Sequence, residues 1–399
     1  MSRASSASPL RRRAHARRGA FVALAATTGL VLTACSGEDA ATASSGYDGP
    51  IGAIDLSQDC PATVVIQTDW NPEVEHGGSY QMLGPDPQID ANSKRTSGPL
   101  FASGEYTGVD LEIRSGGPAI GFQSVTSQMY QDPDIMLGYV DTDQAISNSG
   151  NNPTIGVYAA LEKSPMMLMW DPETYPDVER IEDLKDTPAK VLYFEGEAYM
   201  DYLTGSGVLN PDQVDGSYDG TPANFVAAGG ANGQQGFASS EPYVYENEVE
   251  GWKKPVNFEL IHDTGYPTYK SPLAVRADAL EENSACLEKL VPVMQQASVD
   301  YFADPAAANA VILDAVEQYN TGWVYGQGNA DYGLETMTEL ELVGNGTTPT
   351  HGDFDEARVQ QLIDITRPVF NEQGKDVPAD LAPDAVVTNR FIDESISFP

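Results

Sequence analysis

Positively charged residues are scarce in this 399-residue chain, which has 22 Lys and Arg against 59 Asp and Glu and a formal net charge of −37. This imbalance excludes nucleic-acid binding as the main activity, because a phosphate backbone would be repelled rather than bound through counterion release. Hydrophobic residues still make up 41% of the chain. That content supports a large folded core and excludes a disordered acidic protein.

Cysteine and histidine are also rare, with three cysteines and four histidines in the whole chain. His76, His262 and His351 are isolated in sequence and no Cys-x-x-Cys pair occurs, so we expect no metal site. The chain also has no Gly-x-Ser-x-Gly, no His-Glu-x-x-His and no phosphate-binding loop. These absences argue against an enzyme, and nothing in the sequence calls for a cofactor.

The N-terminus has the organisation of an export signal. An Arg-rich segment, 1–18, precedes an apolar run from Gly19 to Leu32 that is too short to span a bilayer of ~30 Å. The run ends at Leu32-Thr33-Ala34-Cys35, which resembles the lipobox of bacterial lipoproteins. The resemblance implies a signal peptide over 1–34, lipidation of Cys35 and a location on the extracytoplasmic face of the cell membrane. The alternative is a chance cysteine after an ordinary secretion signal, and Arg17-Arg18 leaves export by the twin-arginine route open.

The mature chain is expected to begin with a flexible tether and to contain one disulfide bond. Residues 35–59 are rich in Ser, Ala, Gly and Asp, and their composition predicts a flexible tether. Cys60 and Cys286 are the cysteines that remain beyond Cys35. In an exported protein such a pair more often forms a disulfide than stays as two free thiols, so we predict a bridge between them.

Strand-like and helix-like segments alternate from Ala62 onward, which predicts an α/β fold with largely parallel strands. The nearly continuous apolar stretch from Thr154 to Trp170 is typical of a buried strand pair that crosses between two bodies. Apolar residues at helical spacing predict three long helices, around 287–301, 305–319 and 354–373. No further stretch is apolar and long enough for a transmembrane helix, so the lipid anchor would be the sole membrane attachment.

The most informative motif directly follows the first predicted strand. It contains Asp69-Trp70-Asn71-Pro72 and then His76-Gly77-Gly78-Ser79-Tyr80, at a place where α/β sheets usually bind ligands. This pattern resembles the signature of the thiamine-pyrimidine-precursor-binding family. That family is a branch of the type II solute-binding proteins of ABC importers, which also include riboflavin binders and sulfonate or taurine binders.

The resemblance implies a two-lobe α/β fold of the periplasmic-binding-protein type II class, with two hinge crossings. Lobe one is expected to contain 60–171 and 266–399, and lobe two 172–265. The implied ligand is a small, aromatic heterocycle like a thiamine pyrimidine precursor or riboflavin, and the implied partner is an ABC permease. We expect the protein to be a monomer. An insertion at 84–107, rich in Pro, Asp and Ser, departs from the family pattern and leaves the ligand's identity open.

The expected ligand contacts come from the first motif, from a glycine turn and from two acidic residues on the opposite lobe: Trp70, Asn71, His76, Tyr80, Gly117, Glu195 and Glu241. Each side chain has a purely structural alternative, such as core packing for Trp70 or a solvated surface carboxylate for Glu195. A sulfonate binder and a secreted enzyme on the same frame are the alternative functions. The pyrimidine synthases related to this family carry a cysteine cluster for iron, which this chain does not have.

Overall fold

The computed structural model describes residues 46–399, so the predicted signal peptide, Cys35 and the first part of the tether lie outside the described residues. Twelve strands are present within the described range. They are β1 (Thr63–Gln67), β2 (Gln88–Asp90), β3 (Arg95–Ala102), β4 (Glu105–Arg114), β5 (Leu137–Tyr139), β6 (Thr154–Tyr158), β7 (Met166–Trp170), β8 (Val191–Leu192), β9 (Val214–Asp215), β10 (Gly233–Phe237), β11 (Asn257–Leu260) and β12 (Leu273–Arg276).

The strands form a seven-stranded sheet in the order β2-β3-β4-β1-β5-β12-β6 and a five-stranded sheet in the order β11-β7-β10-β8-β9. Strand β1 pairs in parallel with β4 and β5, and β8 pairs in parallel with β9 and β10. The other strand pairs of both sheets are antiparallel. The sheets are therefore mixed, and the prediction of largely parallel strands is wrong beyond these central pairings.

Helices cover the two sheets. The described α-helices are α1 (Gly77–Gln81), α2 (Val125–Gln131), α3 (Thr142–Ser147), α4 (Ala198–Gly205), α5 (Ala223–Ala227), α6 (Glu241–Asn247), α7 (Ser284–Ala303), α8 (Ala306–Tyr319), α9 (Gln327–Glu339) and α10 (Glu356–Glu372). The three long predicted helices correspond to α7, α8 and α10. The last is capped at its start by the Asp355 carboxylate, which accepts from the backbone N–H groups of Ala357 and Arg358.

Each sheet with its helices forms one lobe, and the chain crosses between the lobes twice. The first crossing, 159–165, joins β6 to β7, and the second, 261–272, joins β11 to β12. The apolar stretch predicted to carry a crossing strand pair does so. Strand β7, however, pairs with β10 and β11 of the second sheet. The first crossing therefore precedes Met166 and does not lie at the expected boundary of 171, and β7 is a strand of lobe two.

The predicted disulfide is confirmed. Cys60 and Cys286 are bonded, with their Cα atoms 4.7 Å apart, and the bond ties the start of lobe one to α7. The insertion at 84–107 forms the antiparallel pairings of β2, β3 and β4 at the edge of the first sheet. Within 46–399 no helix has the length and apolar character required to cross a membrane.

Candidate functional site

A lysine in the second crossing lies at the centre of a group of acidic residues between the two sheets. The Lys270 Nζ donates to Asp69 Oδ2 at 2.7 Å and lies 3.0 Å from both carboxylate oxygens of Asp141. Asp69 directly follows β1, and Asp141 follows β5, which is the parallel neighbour of β1. The loops after these strands therefore bring the two carboxylates to one edge of the sheet, as expected for this type of fold.

Asp69 is held by more than the lysine. Its Oδ1 is 2.9 Å from His76 Nε2, and its Oδ2 accepts from the Ser271 hydroxyl at 2.6 Å. Burial by itself would raise the pKa of Asp69, but the charges of Lys270 and His76 outweigh it and hold that pKa far below its usual range. Asp69 is therefore the ionised partner of Lys270 at physiological pH.

A cavity opens beside Lys270 and reaches lobe two. It contains about 320 Å³ of empty space, counted with the solvent at its mouth. Its polar and aromatic lining comes from the loop after β5, the start of α3, both crossings and the start of α4: Asp141, Asp143, Ser164, Glu197, Tyr199, His262, Tyr266, Thr268 and Lys270. Residues of both lobes and of a crossing thus surround one space.

Two carboxyls of this cavity, those of Asp143 and Glu197, have no ion-pair partner among residues 46–399. Asp143 Oδ2 accepts from the Tyr266 hydroxyl at 2.8 Å, and the Glu197 side chain makes no hydrogen bond or ion pair with residues 46–399. Burial and the charge of Asp141 raise the pKa of Asp143 to about 6. Burial and the charge of Asp143 raise the pKa of Glu197 to about 7. The surroundings of both carboxyls therefore favour the protonated form more than water does.

A second acidic group lies on the other side of Lys270, in the turn before α1. The Ser239 hydroxyl of lobe two donates to Glu75, and Glu241 Oε2 accepts from the Phe237 backbone N–H at 2.6 Å. Burial raises the pKa of Glu75 and, with the charge of Glu75, raises that of Glu73 well above its ordinary value. The pKa of Glu241 rises to about 7, mainly through burial.

Arginine 358 connects both crossings to α10. Its guanidinium donates to Glu162 Oε1 in the first crossing at 2.9 Å and to the carbonyl oxygens of Pro267 and Thr268 in the second at 2.8 and 3.0 Å. It also lies 3.6 Å from the centre of the Tyr269 ring. The two hinge segments are therefore fixed to each other by one buried cation.

A segment that we call the strap, residues 320–339, joins the lobes at another point. On lobe one the Thr321 hydroxyl donates to Asn71 Oδ1 at 2.9 Å, and the Tyr325 hydroxyl accepts from the Val74 backbone N–H at 3.3 Å. On lobe two the Asn329 amide donates to the Ser240 hydroxyl at 3.0 Å. The strap includes α9, a helix that the sequence analysis did not predict.

Trp70 and Gly117 form one packing unit. The Trp70 ring is half-buried, with Phe122 and Trp323 as ring neighbours at centroid distances of 6.1 Å each. Gly117 has φ +54°, and a Cβ there would lie 2.6 Å from Trp70 Cε3. Glycine at 117 therefore leaves room for the indole, and this contact accounts for the residue without a ligand.

The remaining motif residues differ in position. His76 is buried beside Tyr139, at a ring distance of 4.9 Å, and its Nδ1 has no hydrogen-bond partner within the described range. Asn71 is buried and is used by the strap. Tyr80 is buried in the core of lobe one, near Thr96 and Tyr319. The structure thus brings His76 to the acidic group, but it places Tyr80 in the core.

On lobe two, Glu241 lies in the acidic group, whereas Glu195 is exposed on the surface. Its neighbour two residues later, Glu197, lines the cavity instead. The sequence analysis also did not identify Lys270, Asp141, Asp143 and Tyr266. A lysine is conspicuous in a chain with so few cations, and its position in the segment that returns to lobe one was the signal that could have identified it.

No protein-family model matches the chain, and no curated protein matches it. Solved structures do share its fold. The periplasmic aliphatic sulphonate binding protein SsuA from Escherichia coli superposes with a TM-score of 0.50 at 14% identity, covering 85% of this chain and 94% of that one. A protein from Bordetella bronchiseptica RB50 gives 0.50 at 14% identity, with coverages of 83% and 96%.

A third neighbour is the ligand-binding component of an ABC-type import system from Staphylococcus aureus with zinc bound. Its TM-score is 0.50 at 12% identity, and the match covers 84% of this chain and all of the other, 100%. At such low identities the likeness shows the fold and no more. The expected two-lobe α/β architecture of the periplasmic-binding-protein type is thereby confirmed.

Proposed function

We propose that this protein is a solute-binding protein that delivers a small heterocyclic ligand to an ABC permease. The observation that carries the proposal is the convergence of charged and aromatic side chains from both lobes and from the second crossing on one cavity. A cleft built in this way can close on a ligand by rotation about the two crossings, and closure is what a permease can recognise. The named neighbours with the same fold include binding components of importers, which supports the class of function.

For the ligand, we propose a flat heterocycle of the thiamine-precursor type, on the basis of the Asp69-Trp70-Asn71-Pro72 motif. Tyr199 and Tyr266 line the cavity and offer aromatic faces or edges to such a ring. A sulfonate ligand, as named for one neighbour, is the second candidate. The excess of carboxylates around Lys270 favours the heterocycle, because a sulfonate would add another negative charge to the site.

The function can be tested by native mass spectrometry of the purified full-length chain, followed by incubation of each candidate ligand with the protein. We expect one bound molecule per chain, recovered chemically unchanged. Recovery of a converted product, with repeated turnover, would instead identify a secreted enzyme on this frame.

We further propose that the chain is anchored by lipid at Cys35, on the lipobox pattern before it. Replacement Cys35→Ala should release the protein from the membrane fraction and remove the lipid mass from the N-terminal peptide. If the variant stays in the membrane fraction, and if the mass of its N-terminal peptide differs from the wild-type mass only by the substitution, Cys35 is not the anchor.

A further inference from the structure

We propose that the ligand carries a positive charge, as an organic cation or a protonated amine, and that Glu197 and Glu73 bind this charge from the two sides of Lys270. This inference rests on the proposed function and narrows its ligand class. It is argued from the charges that the fold places in the cleft and from the hydrogen bonds that these charges lack.

The cleft contains far more negative than positive groups. Seven carboxyl groups lie in or beside it, while the described cleft residues contribute one ammonium, Lys270, and two imidazoles, His76 and His262. Burial lowers the pKa of His262 to about 4, so this imidazole adds no positive charge. The carboxylates are those of Asp69, Glu73, Glu75, Asp141, Asp143, Glu197 and Glu241. Lys270 and His76 both bond to Asp69, and Lys270 is shared with Asp141. The five other carboxylates therefore have no ion-pair partner among residues 46–399.

Among these five carboxylates, Glu73 gives the strongest support for a cationic ligand. Its side chain is only 8% exposed, yet its carboxylate makes no hydrogen bond or ion pair with the part of the chain that the structure describes. It lies among Glu75, Asp69, Lys270 and Glu241, so it faces the interlobe acidic group and not the core of lobe one. A buried carboxylate without a partner is costly, and such groups are normally paired.

Glu197 gives an independent indication on the other side of Lys270. It lines the cavity together with Asp143 and Lys270 and has no hydrogen-bond partner for its side chain in the described range. Tyr199 and Tyr266 line the same space. Carboxylates beside aromatic rings are the combination that binds organic ammonium groups, through charge and through cation–π contact.

The other classes of ligand fit less well. An anion would meet the repulsion of the five unpaired carboxylates, and a neutral ligand would leave Glu73 and Glu197 without a counter-charge. A metal ion needs several donors at fixed distances, and no group of three or more His, Cys, Asp or Glu residues within 46–399 has that arrangement. An organic cation satisfies the charge without requiring a coordination shell.

Calorimetric titration of the purified full-length chain at pH 8 tests the inference with four probes, which are cationic, neutral or anionic. Thiamine is a permanent cation with an aminopyrimidine ring, riboflavin is neutral and ethanesulfonate is an anion; choline serves as a cation without an aromatic ring. We expect stoichiometric binding of at least one of the two cations, and at least about 100-fold weaker binding of riboflavin and ethanesulfonate. Glu197→Gln should weaken cation binding at least about tenfold, since it removes one charge-assisted contact.

The chain offers a matched control two residues away. Glu195 is exposed and outside the cavity, so Glu195→Gln removes the same charge from the same loop and should leave the affinity within about twofold. Glu73→Gln should weaken cation binding about tenfold as well. Both cleft variants should keep or raise the melting temperature of the unliganded protein, whereas a merely structural glutamate would lower it.

The outcomes separate the inference from the function on which it rests. Tight binding of riboflavin or ethanesulfonate, unchanged in Glu197→Gln, would overturn the cationic ligand and retain the solute receptor. Failure of both cations to bind at millimolar concentration would likewise overturn the inference. Conversion of a probe into product would instead overturn the receptor function. Equal weakening in Glu195→Gln and Glu197→Gln would show a general charge effect and remove the assigned role of Glu197.

Discussion

Asp69 and Glu197 are both carboxylates in loops that face the cleft, yet their surroundings shift their pKa values in opposite directions. Asp69 has an ammonium 2.7 Å away and an imidazole 2.9 Å away, and its pKa is lowered. Glu197 has neither, and burial together with Asp143 raises its pKa to about 7. The difference shows that one ammonium group is enough to stabilise the ionised form of Asp69. Carboxyls without such a partner, like that of Glu197, can still bind a positive charge that a ligand brings.

The largest effect is expected from removal of the ammonium group that Asp69 and Asp141 share. Lys270→Met leaves Asp69 and Asp141 without their ammonium in a buried site, and loss of one partner of a buried ion pair costs about 3–5 kcal/mol. We expect the free energy of unfolding, measured by urea denaturation at pH 7.5, to fall by that amount.

Lys289→Met is the control for the lysine substitution. Lys289 pairs with Asp59 at the surface, where its side chain is 45% exposed, and such pairs contribute about 0–1 kcal/mol. A Lys270→Met variant that loses no more stability than Lys289→Met would show that Asp69 and Asp141 do not depend on the ammonium.

The next largest effect concerns the pH dependence of the unliganded protein. Carboxyls whose pKa is higher in the folded than in the unfolded chain lower the stability as pH rises through the folded pKa. With Glu197 and Glu241 at about 7 and Asp143 at about 6, the free energy of unfolding should fall between pH 5 and pH 8, by roughly 6 kcal/mol for the three groups together. Asp69, with its lowered pKa, acts in the opposite sense, but only below about pH 4.

Thermal and urea denaturation between pH 5 and pH 8 in 0.5 M salt can measure this slope, since salt screens the general repulsion of the acidic surface. The double variant Glu197→Gln and Glu241→Gln should flatten the profile. The groups that face these carboxyls, Asp143, Glu75 and Lys270, remain in that variant. A stability that rises from pH 5 to pH 8 in the wild type would contradict the assignment of raised pKa values.

The sequence predicted the class of fold better than the composition of the site, for physical reasons. Helical periodicity identified α7, α8 and α10, because the repeat of apolar residues is visible within one segment. The disulfide was predicted by counting, because Cys60 and Cys286 are the two cysteines that remain beyond Cys35. The strands within the insertion at 84–107 and the helix α9 were not predicted, since β2 is a short edge strand and α9 carries few apolar residues on one face.

The residues of the site were harder to predict, because they depend on the direction in which a loop turns. Glu195 and Glu197 are both acidic and two residues apart, and only the start of α4 at Ala198 decides that Glu197 faces the cavity. Lys270 is 201 positions from Asp69 in sequence, so no spacing rule could connect them. Tyr80 belongs to the same motif as His76 but is buried in α1, which packs against α7 and α8.

The smallest expected effect concerns Trp70, the residue that the sequence favoured most for ligand stacking. Its ring is half-buried against Gly117, Phe122 and Trp323, so Trp70→Ala should remove aromatic packing and lower the free energy of unfolding by about 1–2 kcal/mol. Affinity for the cleft ligand should change less than about fivefold, because the charged contacts near Lys270 stay in place. Phe122→Ala is a suitable comparison: Phe122 is 68% exposed, and its loss should affect stability less than that of Trp70. Calorimetric titration beside urea denaturation of both variants decides the matter. A loss of about 100-fold in affinity with unchanged stability in Trp70→Ala would place the indole on the ligand and show that the cleft extends from Lys270 to this aromatic group.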